Sequence, residues 1–345
     1  MGLLDIGVMF YFLLLMFAAN QVQAGQWERS TVQPLLFTLV GLLLVLALIA
    51  LPNIFLGLIP SSETENLNLP PINGFTAFFA TLLALGSAGG SYALITSVEI
   101  RQRLARFFGE NQRYDAGSIV HTTALLLCIA VLVGTIVLFI LAGGISGVAA
   151  SIESSGISIS DNVFQAALWV ISAILGVGLF IRRDALQTLA RLGLRLPNRD
   201  DWIIGTVVGV ALFFGSMIFD SIWNLLVSSD LIAQQTQAAE QLSRLITTLP
   251  LAFSVAISAA VGEEIFMRGA LQPVFGIWVT SAFFTLLHPQ YLGTPTMLLI
   301  FAVSVSFGWL RARYSTTAAL IGHFFYNFVP LFILVLLNNG GTPAP

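Results

Sequence analysis

Lysine is absent from this chain, cysteine occurs once, and only three histidines are found among 345 residues. Charged residues of all kinds reach just 9%, against roughly a quarter in ordinary soluble domains. Each scarcity excludes something. A lone cysteine, Cys128, permits neither an internal disulfide nor a thiolate metal cluster within one chain. Its setting, "LLLCIAVLV", reads as that of a small buried hydrophobe. A net charge of −3 gives no reason to expect nucleic acid as a partner.

Hydrocarbon fills the space instead. Hydrophobic residues make up 57% of the chain and the mean hydropathy is +0.91. A soluble fold cannot bury that much apolar surface, so lipid must be the solvent. A helix needs about 20 apolar residues to cross a bilayer. Ten candidate spans follow, near 4–20, 35–59, 73–98, 118–143, 163–181, 202–226, 250–270, 274–290, 295–310 and 316–338. The expected fold is an all-α, polytopic bundle of about ten transmembrane helices. The first stretch carries Asp5 where a signal peptide would carry basic residues, so it reads as a retained membrane segment. It is also short enough to lie at the interface.

Arginine sets the orientation. Residues 99–115 hold four arginines and 182–201 hold five, while 60–72 and 145–162 hold none. The arginine-rich loops therefore belong in the cytoplasm, where they read as amphipathic helices on the inner membrane face and as topological anchors. Ten spans then put both termini outside, with Arg268, Arg311 and Arg313 on the cytoplasmic side. The polar, helix-forming segment 228–249 falls outside by the same count.

Composition changes near residue 200, and every feature with chemical content lies beyond it. Ionisable residues within spans are costly and mark function by default. "AAVGEEIFMRGALQPVFG", residues 259–276, places Glu263, Glu264 and Arg268 in one of the most apolar regions. Glu264 and Arg268 stand at i and i+4 with the acid first, the better order for an ion pair on a helix. Glu263 points about 100° away and lacks that partner. Phe284 and His288 share a face in "FTLLH", and His323 and Asn327 share one in "HFFYN". Three segments can thus aim polar faces at one interior point.

Such a point suits hydrolysis. A carboxylate in an apolar pocket can take a proton from water, and histidines can hold that water or bind a metal. An amide and an imidazole can donate hydrogen bonds to a developing oxyanion. Glu263, His288 and His323 would also match a His₂Glu zinc set, although the contiguous H-E-x-x-H helix is absent. Each piece has a structural alternative: a Glu–Arg pair that fixes helix register, a histidine at a helix end, and an interhelical His–Asn hydrogen bond.

The ordered set E-E-x-x-x-R, F-x-x-x-H and H-x-x-x-N resembles the CPBP family of intramembrane proteases, also called the Abi or type II CAAX prenyl endopeptidase family. The resemblance covers roughly 200–338. It divides the chain into an N-terminal transmembrane region without an assigned role (1–200), a CPBP-like protease domain (201–338) and a tail (339–345). It implies endoproteolysis in the cell membrane, at a site opening toward the cytoplasm, on a peptide or lipidated protein substrate. Carried over, Glu263 and His288 would activate water, His323 and Asn327 would stabilise the tetrahedral intermediate, and Glu264 with Arg268 would support the glutamate helix. A divalent ion, zinc first, would sit on Glu263, His288 and His323, or the glutamate would act without metal. The competing readings are a non-catalytic scaffold that binds such substrates and, less favoured, a transporter with a proton relay.

Four smaller expectations complete the reading. His121 lies at the interface, and Asp220 with Asn224 share a face near the outer surface, where solvation or helix contact accounts for them. Pro52 kinks the second span. Gly86, Gly89 and Gly90 permit close helix packing.

Overall fold

The apolar runs start behind polar caps. The side chains of Asn73, Ser118, Ser158 and Thr248 accept hydrogen bonds from the amides of Phe75, His121, Asp161 and Leu251. Each satisfies a helix-end N–H that lipid could not. A computed structural model describes residues 3–57, 73–108, 114–144, 156–226, 244–292 and 294–340. Among them there is no strand beyond an isolated bridge between Leu179 and Arg183.

In chain order the helices are α1 (Leu3–Gln23), α2 (Arg29–Leu56), α3 (Gly74–Thr96), α4 (Val98–Phe108), α5 (Ile119–Leu141), α6 (Ile159–Val177), α7 (Ala185–Leu192) and α8 (Arg199–Leu226). They continue with α9 (Leu249–Glu264), a π-helical turn (Ile265–Leu271), α10 (Gln272–Leu286), a short 3-10 turn (Pro289–Tyr291), α11 (Thr296–Arg313) and α12 (Thr316–Gly340). Among the described residues, eight segments are long and apolar enough to cross a bilayer. The protein is an all-α polytopic membrane protein.

Two of the ten expected spans, 250–270 and 274–290, are arms of one helical run, Leu249–Leu286, and the break falls at Gly276. There φ is 82° and ψ 171°, a backbone region open essentially to glycine alone. Arg268 and Phe284 each lie eight residues from Gly276. They meet, with the guanidinium carbon 4.9 Å from the ring centroid, so the chain folds back on itself. The returning arm is only about ten residues, or ~15 Å of helix, too short to cross. Arms on either side of a turn still reverse direction, so the count of sides made from ten spans is unchanged.

Contacts define one arginine-bearing end. Arg101 donates to the carbonyls of Leu94 (2.6 Å) and Ala116 (2.9 Å), closing the end of α3. Arg183 caps the Val177 carbonyl at the end of α6. Arg191 donates to Gly269 and Ala270 at 2.8 and 3.3 Å. Thr316 donates to the Leu192 carbonyl at 2.5 Å. Buried Asp201 accepts from Arg195 at 2.9 Å and from Ser315 at 2.8 Å, which clasps the start of α8 to the α11–α12 turn. The arginines here close helix C-termini. Burial, with Arg183 beside it, pushes Arg182 down to about 10.

The α1 helix packs into the bundle: Leu15, Ala18 and Ala19 are fully buried, and Asn20 donates to the Leu175 carbonyl at 2.9 Å. The α2 helix runs unbroken through both Pro34 and Pro52. The glycine expectation for α3 needs correction. Nothing lies within 4 Å of a Cβ placed on Gly86, Gly89 or Gly90. It is Ala77, Ala80, Ala84, Ala88 and Ser91 that α3 buries. Close approach occurs instead between α8 and α12, where a Cβ on Gly205 would sit 2.8 Å from the Ala318 carbonyl and one on Gly209 would run into Gly322. Those contacts pair the two helices in parallel. The segments 60–72, 228–243 and 341–345, and most of 145–162, lie outside the described residues.

Candidate active site

Three elements build the site: the end of α9 with its π turn, the returning α10 arm, and the first half of α12. The π turn lets the chain widen immediately after Glu264, a device frequent at functional sites. It is closed by the Gln272 amide donating to the Met267 carbonyl. Arg191 supplies donors to the Gly269 and Ala270 carbonyls.

Glu264 is completely buried and has two partners. Its Oε2 lies 3.2 Å from Arg268 Nε, an ion pair without hydrogen-bond alignment, and its Oε1 accepts from His323 Nδ1 at 2.8 Å. The sequence reading assigned it to Arg268 alone. Arg268, 1% exposed, donates through Nη2 to the Ser304 carbonyl (3.0 Å) and hydroxyl (2.9 Å). It also rests over Phe284. The carboxylate therefore orients an imidazole while the guanidinium locks α11 to the π turn. Gln272 reinforces that lock, donating to the Gly308 carbonyl at 2.9 Å.

His323 presents its other nitrogen toward Glu263. Nε2 is 3.9 Å from Glu263 Oε2, beyond a direct hydrogen bond but within the span of one bridging water at about 2.8 Å from each. Glu263 has 26% of its side chain exposed and makes no hydrogen bond with a described residue. With Nδ1 donating to a carboxylate, a neutral His323 leaves Nε2 as an acceptor. Phe307 stacks on the His323 ring at 5.0 Å and fixes its plane.

His288 ends the returning arm. Its Nδ1 is 2.9 Å from the Phe284 carbonyl, and its ring lies 4.8 Å from that of Phe284. Phe284 in turn is 6.3 Å from the His323 ring. Both imidazoles thus lie beside one phenyl ring, with no hydrogen bond between them. Asn327, part-buried on the same face of α12 as His323, makes no side-chain hydrogen bond with a described residue, which leaves its amide open to a ligand. The structure brings Glu263, Glu264, Arg268, Phe284 and His323 into direct contact, with His288 next to Phe284.

As placed, the donors do not form a zinc centre. Among the described residues no three His, Cys, Asp or Glu side chains gather closely enough to hold an ion. His323 and His288 each commit Nδ1, to Glu264 and to the Phe284 carbonyl, and leave Nε2 for a ligand.

Several contributors were missed from sequence. Ser304, Gln272 and Phe307 carry no motif. Polar residues in apolar helices were the only signal for the first two, and the pair Pro273 and Gly276 was the signal for the turn. His121 accepts from the Asp115 amide at 3.0 Å and stacks on Tyr114, at the arginine end. Cys128 packs into the apolar cluster around Met267 and Phe275.

Residues 245–329 match the family described as Type II CAAX prenyl endopeptidase Rce1-like, which supports the resemblance to the CPBP family. The matched residues take in Glu263, Glu264, Arg268, Phe284, His288, His323 and Asn327. Neither the curated proteins nor the solved structures yielded a match.

Proposed function

We propose that the protein is a membrane-embedded endopeptidase in which Glu263 activates water to cleave a membrane-associated or lipidated peptide. The observation that carries this reading is the 3.9 Å gap between Glu263 Oε2 and His323 Nε2. It is a slot for one water between an under-coordinated carboxylate and an imidazole held by a buried acid.

The chemistry then needs few parts. Glu263 takes a proton from the water as its oxygen attacks the scissile carbonyl carbon. His323 Nε2 holds that water and sets its direction, and His288, whose ring lies beside Phe284, is the second imidazole this reading assigns to it. The developing oxyanion accepts a hydrogen bond from the Asn327 amide. When the C–N bond breaks, the proton on Glu263 passes to the leaving amine. Glu264 keeps His323 oriented throughout, and Arg268 balances its charge. No step runs through a metal, and chelation is expected to leave cleavage unchanged.

The depth of the site fits the same reading. His323 follows Thr316 by seven residues on α12, about 10 Å below the arginine end at 1.5 Å per residue. The arginine asymmetry puts that end in the cytoplasm of a cell-membrane protein, so substrate and water enter from the cytoplasmic side.

The test is cleavage of a fluorogenic, membrane-anchored peptide library by the purified protein in nanodiscs. Glu263→Gln is expected to abolish turnover while retaining peptide affinity. Wild-type-like turnover by that variant refutes the assignment. Binding without turnover by the wild-type protein would instead favour a scaffold.

A further inference from the structure

The π turn depends on a donor from a distant part of the chain. Proline has no N–H to give, and Pro273 stands four residues after Gly269, where a regular helix would supply the donor for that carbonyl. Arg191, in the last turn of α7, supplies it instead. Its Nη1 lies 2.8 Å from the Gly269 carbonyl and its Nη2 3.3 Å from that of Ala270. Glycine at 269 permits this approach, because a Cβ there would lie 3.0 Å from the Leu192 carbonyl and 3.1 Å from Leu192 Cδ2.

The next two residues reach the other half of the site. Leu192 is completely buried, in one apolar cluster with Ile265, the residue after Glu264. Its carbonyl accepts from the Thr316 hydroxyl at 2.5 Å, and the Gly193 carbonyl accepts from the Thr316 amide at 3.0 Å. Thr316 is itself fully buried and opens α12, the helix that carries His323. Three consecutive residues thus run from the turn beside Glu263 to the start of the His323 helix. All three lie outside 245–329, the stretch that matches the endopeptidase family.

We propose that Arg191 is a positioning residue for the reaction: with Leu192 and Gly193 it clasps the π turn to the start of α12 and so fixes the 3.9 Å gap between Glu263 and His323. This rests on the endopeptidase reading above. It gives the N-terminal region a part in the site. A carbonyl left without a donor in apolar surroundings is costly, so loss of the guanidinium lets the turn shift until its carbonyls find other partners. A displacement of about 1 Å can cost a reaction about 10²-fold, and here one water must touch both Glu263 Oε2 and His323 Nε2. An arginine that only marked the cytoplasmic side would act through its charge, and would need no contact with the turn.

The experiment uses full-length protein in phosphatidylcholine nanodiscs with a membrane-anchored peptide. Arg191→Met, which removes the donors, is expected to lower kcat about 10²-fold and leave KM within about threefold of wild type. Arg103→Met, which removes an exposed charge on α4, should change neither. Arg191→Lys keeps a donor as well as the charge and should recover part of the loss. Thr316→Val cuts the clasp at its other end and should also lower kcat; combined with Arg191→Met it should add little, since both act through one connection. In Arg191→Met, amide hydrogen exchange should quicken in 265–271 and 316–323 and stay unchanged in α2 and α3. A wild-type kcat for Arg191→Met, an equal loss in Arg103→Met, or exchange that quickens throughout the bundle overturns the proposal. If Arg191→Met does not fold, Thr316→Val decides: lowered kcat supports the clasp and unchanged kcat overturns it. Absence of wild-type turnover overturns the endopeptidase reading, while localised exchange leaves the clasp standing. Wild-type turnover that Arg191→Met leaves intact does the reverse.

Discussion

The two adjacent glutamates should behave oppositely when neutralised, and the structure sets the size of the difference. Glu264 is 0% exposed and Arg268 is 1% exposed. Replacing Glu264 with glutamine removes the charge that compensates a guanidinium sealed among Phe284, Phe307 and Ser304. Leaving one member of a buried ion pair uncompensated costs about 3–5 kcal/mol. Neutralising Glu263 carries no such penalty. Its side chain is 26% exposed, and it faces His323 Nε2 at 3.9 Å. Glu263→Gln is therefore expected to unfold within about 0.5 kcal/mol of wild type, though it abolishes turnover. Chemical unfolding in mixed micelles, followed by tryptophan fluorescence, measures both. A double variant, Glu264→Gln with Arg268→Met, removes the stranded cation and should be more stable than the sum of the single losses implies. Equal stability of the two glutamine variants would refute the assignment of Glu264 as the buried partner, and with it the orientation of His323.

Three further outcomes follow from the geometry. Asn327→Ala should lower kcat by about 10²–10³-fold, the usual cost of one lost oxyanion donor, with little change in KM; steady-state kinetics checks it. Gly209→Leu should destabilise the protein by about 1–3 kcal/mol or more through overpacking against Gly322, whereas Gly86→Leu should be nearly neutral, which paired unfolding curves would show. Gly276→Val should cost about 1–3 kcal/mol for its strained backbone and lower turnover as well, because the returning arm that carries His288 would lose its direction.

How much of this was legible without coordinates differs from residue to residue. Solvent, helix count to within the hairpin, and the arginine-bearing end were readable because lipid imposes length and composition on every crossing segment. The glutamate, histidine and asparagine positions were readable because a charge in an apolar run is expensive enough to stand out. The Glu264–Arg268 pair followed from helical spacing alone. Tertiary structure decided the rest. Which glutamate would hold His323 depended on how α12 lies beside α9, and no local pattern encodes that. Gly276 was visible as a helix breaker, but the fold-back that sets Phe284 beside Arg268 is a matter of packing. Glycines in α3 and α8 look alike in sequence. Only the neighbouring helix determines which face open space and which meet another backbone, since contact depends on what lies across the gap.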